Sequence, residues 1–114
     1  MNNLLELDGE IFVLDGGYWA KIEAKQITAT AKRPYGVRYS LTLHDEKGQR
    51  VIGYDNAHAF SQNGYAGKGA KGVRAYDHRH KGARNFVYKW HSAVQLLEDF
   101  WTDVEAELKK RKKS

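Results

Sequence analysis

From Glu10 to Asn56 the chain alternates apolar and polar side chains with a period of two, the pattern of strands that bury one face. Glu10 to Leu14 is short and apolar, and Asp15-Gly16-Gly17 forms a turn. Tyr18 to Thr28 then sets Tyr18, Ala20, Ile22 and Ala24 against Lys21, Glu23 and Lys25. Together these segments predict a hairpin. Beyond Lys32-Arg33-Pro34-Tyr35-Gly36 the alternation resumes, with Val37, Tyr39, Leu41 and Leu43 on one side and Arg38, Ser40, Thr42 and His44 on the other. Asp45-Glu46-Lys47-Gly48 turns the chain back into Arg50 to Asn56, whose Val51, Ile52 and Tyr54 favour a returning strand.

The period disappears between Ala57 and Arg74. Gly64, Gly67, Gly69 and Gly72 interleave there with Lys68, Lys71 and Arg74, which predicts a loop. Arg84 to Lys89 is a candidate fifth strand through Phe86, Val87 and Tyr88. A helical period then takes over: Ser92 and Gln95 match a capping box, and Leu97, Phe100, Trp101, Val104 and Leu108 recur at helical spacing. A helix from about Ala93 to about Arg111 follows. Because strands precede the helix and do not alternate with helices, the expected fold is α+β: an antiparallel sheet of four or five strands with a C-terminal amphipathic helix packed on one face. At 114 residues a single domain is expected, with a glycine-rich basic loop at 57–75 and a basic tail at 109–114.

Composition narrows the chemistry. With no cysteine, disulfides, thiolate metal sites and a cysteine nucleophile are excluded. The opening Met1 to Asp8 carries acids where a secretory signal needs a basic region and an apolar run, and no stretch approaches a membrane span. The expectation is therefore a cytoplasmic protein that makes no membrane contact.

Net charge of +5 is unevenly placed. Residues 1–56 hold seven Lys/Arg against eight Asp/Glu, residues 57–91 seven against one, and residues 92–114 five against five. The middle segment also holds His58, His78, His80 and His91. Such a field draws a polyanion from a distance and releases counterions on contact. A solvated basic loop is the plain alternative. The basic run that ends the helix needs no ligand, since it complements the helix dipole, and Phe100 and Trp101 read as core.

The densest candidate chemistry is Tyr76-Asp77-His78-Arg79-His80-Lys81-Gly82. If extended, this stretch projects His78 and His80 to one side. Cleavage of an RNA backbone without metal needs a base for the 2'-hydroxyl, an acid for the leaving 5'-oxygen, and cations for the developing phosphoryl charge. Two histidines with Arg79 and Lys81 as phosphate clamps supply all three, with Asp77 available to orient a ring. Other readings stay open: a metal site completed by Asp55 or His44, phosphate contact without catalysis, or structural packing. Gly53-Tyr54-Asp55-Asn56 ends a strand beside the cluster, where Asp55 could act as base or orient a histidine and Asn56 could bond phosphate or a base edge. Turn chemistry explains the same residues. Arg38 is a candidate phosphate contact, while Tyr39 is in phase with the core.

At these residues the chain resembles the TumE family of toxin–antitoxin toxins. The resemblance is carried by Arg38-Tyr39-Ser40-Leu41, Val51-Ile52-Gly53-Tyr54-Asp55-Asn56, Asp77-His78-Arg79-His80, and the run from Leu96 to Val104, in matching order and spacing. It covers most of the chain from Arg38 onward. One departure is the insert from Ala57 to Ala75, which is longer and richer in glycine than the family pattern. The resemblance implies a growth-inhibiting toxin and a cognate antitoxin that often carries a helix-turn-helix domain. It supplies no catalytic residue list.

The combined expectation is a ribonuclease toxin that works without metal or cofactor and takes RNA as substrate. His78 and His80 are the expected acid–base pair, Arg79 and Asp55 their catalytic partners, and Arg38, Asn56, Lys68, Lys71, Arg74 and Lys81 the substrate contacts. The alternative is a non-catalytic module that binds nucleic acid or protein and inhibits by occupancy.

Overall fold

The computed structural model describes residues 3–30, 35–56 and 77–112. The alternating segments become β1 (Ile11–Val13), β2 (Trp19–Gln26), β3 (Val37–His44) and β4 (Arg50–Asp55). Between β1 and β2 the turn runs through Gly16 and Gly17 at φ 73° and 83°, a left-handed backbone open to residues without a Cβ. Gly17 is needed for a second reason: a Cβ there would lie 2.9 Å from Glu46 Cβ, so the first turn packs directly on the turn joining β3 and β4.

Two further strands, β5 (His78–Lys81) and β6 (Arg84–Val87), extend the sheet through a tight turn at Gly82. The described residues thus form one six-stranded antiparallel meander in the order β1-β2-β3-β4-β5-β6. The α+β architecture is the one expected from the sequence. The strand added to the expected four or five is β5, the histidine-bearing segment itself, recruited because it pairs on one side with β4 and on the other with β6.

Helix α2 (Ala93–Lys112) begins where Ser92 Oγ accepts a hydrogen bond from Gln95 N at 3.0 Å, the expected N-cap. A short helix α1 (Asn3–Glu6), which the sequence pattern did not reveal, buries Leu4 against α2 and β2. One sheet face meets these helices. Its core consists of Ala20, Ile22 and Ala24 from β2, Val37, Tyr39, Leu41 and Leu43 from β3, Ile52 and Tyr54 from β4, and Leu96, Phe100 and Val104 from α2. Because side chains alternate, Trp19, Lys21, Glu23, Arg38, Ser40, Thr42, His44, Asp55, His78 and His80 project to the opposite face, which among the described residues meets no helix and is called the helix-free face in that sense.

One irregularity alters that alternation. Leu43 pairs with Ile52 but His44 pairs with Arg50, so Val51 is the extra residue of a β-bulge. Val51 turns toward the core, and the Arg50 side chain swings over Gly53 on the helix-free face, where a Cβ would lie 3.2 Å from Arg50 Cδ.

Candidate active site

Antiparallel pairing aligns Asp55 with His78 and Gly53 with His80, which brings three chemically active side chains onto the helix-free face. Asp55 bridges the two rings: Oδ1 lies 3.4 Å from His78 Nδ1 and Oδ2 lies 3.1 Å from His80 Nε2. The rings are nearly perpendicular, with centroids 5.7 Å apart. All three groups are largely sheltered, with side-chain exposures of 17% for Asp55, 7% for His78 and 13% for His80. The other ring nitrogen of His80 faces Asn85 Oδ1 across the β5–β6 hairpin.

Both nitrogens of His80 therefore face oxygen acceptors. A doubly protonated ring donates to both; a singly protonated ring needs the Asn85 amide to turn its NH2 group inward. Burial by itself would raise the Asp55 carboxyl, but hydrogen bonds and charge from His78 and His80 outweigh it and hold the group well below the usual carboxylate range. Asp55 is thus a fixed anion shared by two imidazoles. One of its oxygens and one nitrogen of each ring lie within 4.8 Å of one another, a grouping that also has the donor types of a divalent-cation site.

The neighbouring residues of the DHRH motif serve the other face. Asp77 accepts a hydrogen bond from Tyr39 Oη at 2.6 Å, so it braces the core, a different contact from the ring-orienting one that the sequence suggested. Burial first, then the nearby Asp77 charge, pushes the Tyr39 hydroxyl far up, which keeps it the donor of that bond. Arg79 forms a bidentate pair with Asp103 of α2, Nε to Oδ2 at 2.8 Å and Nη2 to Oδ1 at 3.0 Å, and Tyr54 Oη donates to the same carboxylate at 2.7 Å. This placement does not fit the expected phosphate clamp, because a period of two sends residue 79 away from residues 78 and 80. Lys81 has the same parity as Arg79, pairs with Ile52 and Arg84, and leaves the histidine side for the same reason.

Asn56 also departs from its expected role as a substrate contact. Its amide is fully buried, accepts from Tyr39 N at 2.9 Å and donates to Val37 O at 2.9 Å, and so stitches the end of β4 to the start of β3. Arg38 is exposed on the helix-free face, beside Lys25 and Ser40 at the end of the sheet where β3 begins. Lys68, Lys71 and Arg74, with the rest of the predicted loop, lie outside the described residues. His44 is not part of the Asp55 group; it stacks on Trp19 with centroids 4.0 Å apart and contacts Thr42 Oγ1 at 3.0 Å.

Sequence reasoning missed Asn85 and Arg50. Asn85 was within reach: a two-residue Gly82-Ala83 turn places it opposite His80 once both flanking segments are taken as strands. Arg50 was not, because only the bulge brings its side chain beside the histidines.

Fold and site together define a small α+β protein with one sheet face packed on helices and the other carrying the Asp55, His78 and His80 cluster. The sequence profile described as Toxin TumE matches residues 4–108, and the chain belongs to that family. Membership implies a toxin–antitoxin partnership. No curated protein and no solved structure matches the chain. No helix among the described residues is long and apolar enough to cross a membrane.

Proposed function

We propose that this TumE-family toxin inhibits growth in the cytoplasm by cleaving RNA, with Asp55, His78 and His80 as its catalytic centre. The observation that carries the reading is the single carboxylate bridging two imidazoles on the sheet face opposite α2, with His80 the more exposed of the two rings. In the reaction, one imidazole removes the proton of a ribose 2'-hydroxyl, whose oxygen attacks the adjacent phosphorus. The other imidazole gives a proton to the departing 5'-oxygen, leaving a 2',3'-cyclic phosphate and a free 5'-hydroxyl. Asp55 fixes both rings and balances the positive charge that passes between them. His80 must exchange one of its two contacts for substrate. The exposed Asn85 amide is the partner able to turn away.

A second reading, hydrolysis by a metal-activated water, is favoured by the mutual closeness of the same three donors. Incubating the purified protein with total RNA, with and without chelator, separates the cases. Cleavage indifferent to chelator, giving cyclic phosphate ends, is the expected result. Cleavage lost with chelator and restored by a divalent cation selects the metal reading. Intact RNA in both arms selects inhibition by occupancy and overturns both catalytic readings. His80→Ala and His78→Gln are expected to lose cleavage and growth inhibition while keeping their circular dichroism spectrum; full toxicity in both would sink the assignment.

A further inference from the structure

The helix-free face continues beyond the histidines, and three of its residues have no part in the catalytic centre. Cross-strand pairing aligns Trp19 of β2 with His44 of β3, and His44 with Arg50 of β4. The adjacent row on the same face runs Lys21, Thr42, Gly53, His80 and Asn85. A continuous surface therefore links an aromatic pair to the catalytic centre through Arg50. With strands about 4.8 Å apart and a rise of about 3.4 Å per residue, Trp19 and His80 are separated by three strand intervals and a two-residue step along the strands, roughly 16 Å.

Each member is suited to a chain of bases and phosphates. Trp19 and His44 are stacked with planes 10° apart, and the hydrogen bond between His44 Nε2 and Thr42 Oγ1 fixes that platform before any ligand arrives. Arg50 is exposed, and among the described residues no carboxylate pairs with its guanidinium. Of the acids nearby, Glu23 lies 3.7 Å from Lys21, Asp55 is shared by the histidines, and Asp45 in the adjoining turn accepts bonds from Lys47 N and Gln49 N. Because position 53 is glycine, the guanidinium can lie close against the sheet.

We propose that Trp19, His44 and Arg50 form a binding track that holds single-stranded RNA across the sheet, the aromatic pair stacking a base and Arg50 contacting a phosphate beside the catalytic centre. Stacking is tolerant of base identity because every base has a π face, whereas a duplex would hide those faces. The inference rests on the reading of the site as an RNA-cleaving centre, but its test does not depend on cleavage.

A fluorescently labelled 2'-O-methyl oligouridine lacks the nucleophilic hydroxyl and can be titrated with the intact protein by anisotropy. Trp19→Ala and Arg50→Ala are each expected to weaken binding about ten-fold. Trp19→Phe, which keeps an aromatic face, should retain most of the affinity, and thermal melts identify any variant that fails to fold. On unmodified RNA the same variants should raise KM and leave kcat nearly unchanged. Wild-type affinity in both Trp19→Ala and Arg50→Ala, or no binding by the wild-type protein, overturns the track. If the histidine variants still cleave while binding depends on Trp19 and Arg50, the catalytic assignment fails and the track stands. If cleavage needs the histidines but binding ignores Trp19 and Arg50, the track alone fails.

Discussion

Asn56 illustrates how one side chain can be mistaken for a functional group when its neighbours are unknown. An amide at a strand exit beside a basic loop suits a phosphate or base contact, yet here it replaces backbone pairing between β4 and β3 by bonding Tyr39 N and Val37 O. Removing it leaves a buried donor and a buried acceptor without that partner. Asn56→Ala is expected to lower stability by about 2–4 kcal/mol, from roughly 1–3 kcal/mol per unsatisfied buried group. Urea denaturation measures it; a loss within a few tenths of a kcal/mol would show that water or backbone movement replaces the amide. Asp55, one residue earlier, has the opposite parity and reaches the histidines. Adjacent residues of a single motif thus divide between folding and chemistry.

The same division runs through β5 as an element. His78 and His80 face the side opposite α2, whereas Arg79 ties the strand to α2 through Asp103, which also accepts from Tyr54 Oη. One more bond reaches the helix, Tyr88 Oη to Asp99 at 2.6 Å, and Gln95 Nε2 holds the same carboxylate from within α2 at 2.8 Å. A helix anchored by carboxylates to a strand needs the fork of arginine more than its charge, since lysine cannot make the bidentate contact. Arg79→Lys should cost about 1–2 kcal/mol of stability, in the range of a lost charge-assisted bond. Cleavage by the folded variant should be near normal. Unchanged stability with a large loss of RNA affinity would instead return Arg79 to the phosphate-clamp role. The bulge in β4 is the other element-scale device, exchanging Val51 and Arg50 between faces without lengthening the sheet.

For the molecule as a whole, the two sheet faces separate stability from chemistry, and pH links them through Asp55. Its folded-state carboxyl titrates below the usual range, so the unfolded chain binds its proton at higher pH than the folded chain does. The stabilisation is fully present above the unfolded value near 4 and is lost as pH falls toward the lower folded value. Wild-type stability should therefore decline on acidification below about pH 4 more steeply than that of Asp55→Asn, whose amide does not titrate. Denaturant midpoints measured from pH 6 to pH 2 compare the slopes; parallel curves would remove the folded-state link between Asp55 and the histidines. The remainder of the fold, built on apolar burial between the sheet and α2, should be common to both proteins.

The antiparallel strands of the first half, the closing helix and the family were legible in the sequence because each rests on local information: a period of two, a period of 3.6, glycine-bearing turns and the spacing of short motifs. The alternation of His78 and His80 was legible on the same ground, once their segment was taken as extended. Local patterns could not show which side of β5 faces α2, because both parities of the DHRH motif are polar and neither announces itself as core. Tertiary packing assigned Asp77 to Tyr39, Arg79 to Asp103 and Asn56 to the β3 backbone, since buried polar groups must find partners across the fold. Strand register alone brought Asp55 between the histidines, and a one-residue bulge brought Arg50 beside them. The sequence by itself determined which residues could do chemistry; the tertiary structure decided which of them share a face, because register and packing depend on contacts far apart along the chain.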